Sequence, residues 1–132
     1  MKLRAFLKEG HRMVRKERPA TLARIHELLL GKTLGVGLGG ERVAFTVERD
    51  ALAFVRPDSA RLDLECRASR ETFFSLLDGR TQMSQAIFQR DVEVMGDYEA
   101  ILSFHGAMEL LLRSTRGSPA FSGLVRRFRT DS

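Results

Sequence analysis

Residues Thr33–Val47 read TLGVGLGGERVAFTV, and this stretch sets the fold class. Leu34, Val36 and Leu38 alternate with Gly35 and Gly37; after Gly39-Gly40, Val43, Phe45 and Val47 alternate with Ala44 and Thr46. A repeat of two belongs to a strand, whose successive side chains point to opposite faces. Two such runs around a Gly-Gly turn predict an antiparallel hairpin. Asp50 turns the chain into a third strand, Ala51–Arg56, and Pro57-Asp58-Ser59 separates it from a fourth, Arg61–Arg67. The fourth puts Leu62, Leu64 and Cys66 on one face and Arg61, Asp63, Glu65 and Arg67 on the other, the pattern of a sheet with one buried side. Four strands in succession predict an antiparallel meander.

On both sides of this sheet the period becomes helical. Leu3, Phe6, Leu7, Met13 and Val14 form a stripe within residues 2–18, and Leu22, Ile25, Leu28 and Leu29 form another between Thr21 and Gly31. Downstream, Ser69 caps a helix carrying Phe73, Phe74 and Leu77 that stops at Asp78-Gly79. A short helix spans Met83–Phe88, and Asp91–Met95 reads as a fifth strand. Gly96-Asp97 opens the most regular helix, with Ala100, Ile101, Phe104, Met108, Leu111 and Leu112 on one face. Ser118-Pro119 starts a tail helix striped by Phe121, Leu124, Val125 and Phe128. The expectation is one α+β domain over 1–132: a helical pair in 1–30, a core of sheet and helices in 31–113, and a basic amphipathic tail helix in 114–132.

With 132 residues, two independent cores would each be marginal, which favours one. No run of about 18 uncharged apolar residues exists and charges interrupt the N-terminal stretch, so neither a membrane span nor a secretory segment is expected and the chain is assigned to the cytoplasm. The single Cys66 excludes an internal disulfide. The net charge of +5 is unevenly spread: residues 1–18 carry seven Lys/Arg against two Glu, and residues 113–132 carry five Arg against Asp131. The ends are basic and the body is mildly acidic. Phosphate and an anionic membrane surface would suit such ends equally.

Most motif-like features fail on context. Gly35-Val36-Gly37-Leu38-Gly39-Gly40 fits G-x-G-x-x-G but leads into a strand instead of the helix that a pyrophosphate needs; a glycine hairpin that wants close backbone approach is the better reading. Gly31-Lys32-Thr33 would need a glycine where His26 stands to be a P-loop. His11, His26 and His105 lie in separate helices with no carboxylate or thiol at ligand spacing, so no metal or other cofactor is expected. Asp63 and Glu65 are flanked by Arg61 and Arg67 and read as a solvated charged face. No serine sits in a nucleophile elbow, and the absence of Trp with only one Tyr argues against a stacking platform for nucleic acid.

The apolar stock is the informative feature. Five Met and nine Phe accompany the aliphatics, and Phe73, Phe74, Met83, Ile87, Phe88, Met95, Phe104 and Met108 gather in the layer that would cover the sheet. An ordinary core explains this; so does a deformable apolar cavity, because Met adapts to irregular shapes. For the second reading the candidate lining also takes Phe45, Phe54, Leu62 and Leu64 from the strands, with Leu77 and Ile101 from the helices.

Three phrases together resemble the sterol carrier protein type 2 family: Pro57-Asp58 followed by Leu62-Asp63-Leu64; Phe73-Phe74-Ser75-Leu76-Leu77-Asp78-Gly79; and MSQAIFQRDVEVMGD over Met83–Asp97, with Ala86 central in its short helix. The similarity runs from about Gly31 to Leu112. Where family members usually carry a glycine just before the fifth strand, this chain has Arg90, which implies a different turn and a more basic mouth there. The resemblance implies a five-stranded, mainly antiparallel twisted sheet covered on one face by helices and enclosing an apolar tunnel for fatty acyl, sterol-like or isoprenoid/quinone ligands, without catalysis. Each buried methylene is worth about 0.8 kcal/mol against water, and a bilayer offers nearly the same, so a carrier has to match the membrane closely. In this reading the tail helix is a lid or membrane contact through Phe121, Leu124 and Phe128 backed by Arg126 and Arg127. The partners implied are a hydrophobic small molecule or lipid and, transiently, an anionic membrane surface, with a protein partner or homodimer left open. The competing reading is an accessory interaction module serving an enzyme or assembly that handles a hydrophobic metabolite; nucleic-acid binding ranks last.

Overall fold

The computed structural model describes residues 1–131; Ser132, the last residue of the expected domain, lies outside the described residues. Eleven elements follow in order: α1 (Leu3–Glu17), α2 (Pro19–Leu29), β1 (Thr33–Leu38), β2 (Glu41–Val47), β3 (Leu52–Val55), β4 (Leu64–Ala68), α3 (Arg70–Leu77), α4 (Met83–Phe88), β5 (Val92–Gly96), α5 (Tyr98–Thr115) and α6 (Pro119–Thr130). Pro19 is the first residue of α2, where its missing N–H costs nothing. The Ser69 and Ser118 side chains cap α3 and α6 as the sequence predicts, accepting from Thr72 N and Phe121 N.

The five strands form one sheet in the order β3-β2-β1-β4-β5, so the class is α+β with a mainly antiparallel sheet. The meander expectation is corrected. β4 does not pair with β3; the chain crosses back over two strands and β4 joins β1 in parallel, Leu34 opposite Leu64 and Val36 opposite Cys66. β5 then adds antiparallel to β4 as an edge strand.

Gly35 explains how the crossing packs. Its strand neighbours Leu34 and Val36 join the apolar clusters, so Gly35 faces the opposite side, where the Leu62 side chain comes within 2.8 Å of the place a Cβ would occupy. Leu62 therefore lies over the outer face, away from Leu64 and Cys66, and the expected common face of these three is corrected. The cause is a bend at Asp63 that breaks the alternation before β4 begins. Asp63 is tied to β1 at both ends, its N–H donating to Thr33 O and its carboxylate accepting from Thr33 N, each at 2.8 Å. Its carbonyl also sits where a Cβ on Gly96 would clash, at 2.4 Å, and Gly96 has φ +151°, so only glycine fits there.

The inner face of the sheet carries the core. Leu34, Phe45, Val47 and Leu64 pack with Ile25 and Leu29 of α2 and with Ala100, Phe104 and Ala107 of α5. A second cluster joins Leu3 and Phe6 of α1, Phe74 of α3, and Leu124, Val125 and Phe128 of α6. A third sets Met83 and Ala86 of α4 against Leu76 and Val92. The outer face is polar as expected: Glu65 accepts from Arg67 at 2.6 Å and from Arg42 at 3.1 Å, and Arg42 also reaches Asp58 at 2.9 Å. Burial works to raise the Glu65 pKa, but these two guanidiniums outweigh it and hold the carboxyl below its ordinary value.

Candidate functional site

An apolar cavity of about 220 Å³ lies between the inner face of the sheet and the helices. α1 contributes Phe6 and Val14, α2 contributes Leu22 and Ile25, β1 and β2 contribute Leu34 and Phe45, and α5 contributes Phe104 and Met108. Every layer of the fold thus reaches it. Its walls are hydrocarbon, aromatic ring and thioether except for His11, His26 and Cys66. Burial pushes the Cys66 thiol up to about 11, so at neutral pH it is an unreactive, weakly polar group.

Six of the residues predicted as lining are brought together here: Phe45, Phe73, Leu77, Met83, Phe104 and Met108. Phe54, Leu64, Phe74, Ile87 and Ile101 pack elsewhere in or against the clusters, and Leu62 covers the outer face. Phe54 lies under cations, with the Arg4 guanidinium 4.9 Å and the Lys8 ammonium 5.5 Å from its ring centroid. Phe88 and Met95 are 88% and 46% exposed and face away from the cavity walls. Alternation along β5 sets Met95 with Glu93 on the face opposite Val92 and Val94, a consequence the lining expectation overlooked, whereas Phe88 ends a helix too short for its pattern to choose a side.

The tail helix α6 is seated against the core. Leu124 and Phe128 have no exposed surface and Phe121 lines the cavity, while Arg126 and Arg127 are exposed. The Phe128 ring stacks on Phe6 with centroids 4.4 Å apart and planes 19° apart. The apolar stripe of α6 is thereby occupied inside the domain, and only its basic face meets solvent.

The N-terminal pair holds what sequence reasoning missed. α1 and α2 line the cavity, and they bring His11 and His26 together with Nε2 to Nε2 at 2.7 Å. His26 is buried, and its Nδ1 is 2.6 Å from the Glu48 carbonyl. Burial, then His26 and Arg15, lower the His11 pKa to about 4. The available signal was the stripe Leu3, Phe6, Leu7 and Val14, which required burial against something in the core.

The profile of the SCP-2 sterol transfer family matches residues 12–109, about three quarters of the chain. The chain belongs to the SCP-2 sterol transfer family. Solved SCP-2 structures share its fold. The sterol carrier protein domain 2 of Helicoverpa armigera superposes with a TM-score of 0.59 at 11% identity, covering 83% of this chain and 85% of that one. A crystal structure of sterol carrier protein 2 gives 0.58 at 16% identity, covering 86% and 95%. UbiJ-SCP2, described as a ubiquinone synthesis protein, gives 0.58 at 20% identity, covering 76% and 90%. No curated protein matches the sequence. At these identities the likeness establishes the fold, and SCP-2 family membership suggests lipid or sterol binding and transfer, in a family that is generally non-enzymatic. Among the described residues no helix is long and apolar enough to cross a membrane, and no group of His, Cys, Asp and Glu could hold a metal ion.

Proposed function

We propose that this chain binds or transfers a hydrophobic ligand, a fatty acyl lipid, a sterol-like molecule or an isoprenoid or quinone molecule, in the cavity between sheet and helices, and that it does so without catalysis. The observation that carries this reading is the cavity itself: about 220 Å³ bounded by hydrocarbon from every layer of the fold. Voids of about 150 Å³ with such linings stay dry and take up apolar molecules, whereas ligand sites for larger molecules run from about 300 Å³ upward. A sterol or a full acyl chain would therefore require the cavity to widen, and the Met83 and Met108 side chains at its wall are the adaptable ones. The exposed Arg126 and Arg127, together with the basic outer face of α1, supply the charge that an anionic membrane surface would meet.

Uptake of the neutral fluorophore N-phenyl-1-naphthylamine tests the reading. The wild-type protein should bind it saturably, and Met108→Trp, which fills the cavity, should weaken binding at least tenfold while remaining folded. Equal uptake by both proteins would contradict the assignment.

A second reading, an accessory module serving an enzyme or assembly that handles a hydrophobic metabolite, is supported by the likeness to UbiJ-SCP2, a ubiquinone synthesis protein, and by exposed apolar side chains. Phe88, Tyr98 and Leu102 are 88%, 77% and 56% exposed, among the exposed acids Asp91, Glu93, Asp97 and Glu99. Co-purification of a stoichiometric protein partner that Phe88→Ser releases would favour it.

A further inference from the structure

His11 and His26 sit where the apolar cavity meets the surface. Both line the cavity, and His26 and Leu22 also line a separate outer pocket with Arg15, Glu27, Arg49 and Asp50. The hydrogen bonds of the pair fix where its protons lie. A carbonyl oxygen can only accept, so the contact of His26 Nδ1 with Glu48 O makes that nitrogen the donor. With both rings neutral, His26 Nε2 is then an acceptor, and His11 Nε2 donates to it across 2.7 Å. Both N–H groups are spent. The remaining nitrogen, His11 Nδ1, bears a lone pair that no described residue engages, and it is not sealed in, because every buried side-chain N or O among the described residues has a partner.

We propose that His11 Nδ1 is the polar anchor of the cavity, accepting a hydrogen bond from the alcohol or phenol O–H of an otherwise hydrocarbon ligand. The inference rests on the cavity-binding reading above. It specifies the ligand class: a neutral amphiphile whose head donates. An ether, a ketone or an ionised carboxylate would present only lone pairs to a nitrogen that can only accept. The depressed His11 pKa, about 4, keeps this arrangement in place at neutral pH.

The test uses isomers of equal heavy-atom count that differ in the donor, 1-octanol and heptyl methyl ether, titrated calorimetrically at pH 7.5 into the full chain. The alcohol should bind about fivefold more tightly than the ether, the ratio a single net hydrogen bond supplies. In His11→Phe the ratio should fall to about one, with ether affinity retained. Equal affinity of the two isomers for the wild-type protein would overturn the anchor while leaving the cavity reading intact. Binding of neither would overturn both. Nitrogen-15 spectra of the wild-type imidazoles give a check that does not depend on a variant folding: His11 should be the Nε2–H tautomer, with Nδ1 responding to the alcohol and not to the ether. An Nδ1–H tautomer would overturn the proposal.

Discussion

Replacing Phe128 with alanine should show that α6 is a structural element of the domain and not a detachable lid. The Phe128 side chain has no exposed surface. Its ring stacks on Phe6 at 4.4 Å, meets Phe73 edge-on at 6.2 Å and 90°, and lies 5.9 Å from Phe74. The Arg70 guanidinium stands 4.6 Å from its centroid. Truncating a buried phenylalanine costs about 3–5 kcal/mol through lost transfer energy and the cavity left behind. Ring pairs add about 0.5–1.5 kcal/mol beyond area, so the upper half of that range, about 4–5 kcal/mol, is expected. Small domains have only about 5–15 kcal/mol in total. With a urea dependence of about 2 kcal/mol per molar, the unfolding midpoint followed by circular dichroism should fall by about 2 M, with the slope unchanged. Arg126→Ala, on the exposed face of the same helix, should change stability by no more than about 0.5 kcal/mol. A loss below about 1.5 kcal/mol for Phe128→Ala would mean that the tail contributes little to the core, and the placement of α6 would be refuted.

Arg90, between α4 and β5, has φ +63°, the only positive value outside glycine among the described residues. Relief of the left-handed strain, about 1–2 kcal/mol, exceeds the roughly 0.5–1 kcal/mol of backbone freedom that glycine loses; Arg90→Gly should therefore stabilise by about 0.5–1 kcal/mol, read as a higher Tm, and a lower Tm would contradict the strain. The pH dependence of stability should carry the His11 signature. Its pKa is about 4 in the folded protein against 6.5 ordinarily, so between these values the unfolded chain binds more protons and stability falls as pH drops. Because His11 is only half-buried, the effect is discounted from the full linkage value to about 1–2 kcal/mol. His11→Asn should lack this component, and parallel stability curves for the two proteins from pH 7 to 4 would refute it.

The sequence announces its elements more clearly than their arrangement. Period-two runs locate β1, β2 and β5, and the serine caps locate α3 and α6, because these signals are local. Strand pairing is not local: the alternation of β4 says that one face is buried but not that its neighbour is β1, and the crossing is held by the room that Gly35 leaves for Leu62 and by the bonds of Asp63 to Thr33. The same limit governs the candidate site. Phe104 and Met108 are legible because a long helix fixes which face meets the sheet, whereas Phe88 ends a helix of six residues, too short for its pattern to choose a side. The histidine pair was illegible since its members lie fifteen residues apart on two helices that the sequence places together only through their apolar stripes.

Whether the cavity holds a hydrophobic ligand is read out by native mass spectrometry of the protein as purified, followed by solvent extraction and by incubation with N-phenyl-1-naphthylamine. The expected result is either a retained molecule with a hydrocarbon body or, from an empty protein, saturable uptake of the probe that Met108→Trp weakens. A protein that is empty as purified and takes up no probe would contradict it.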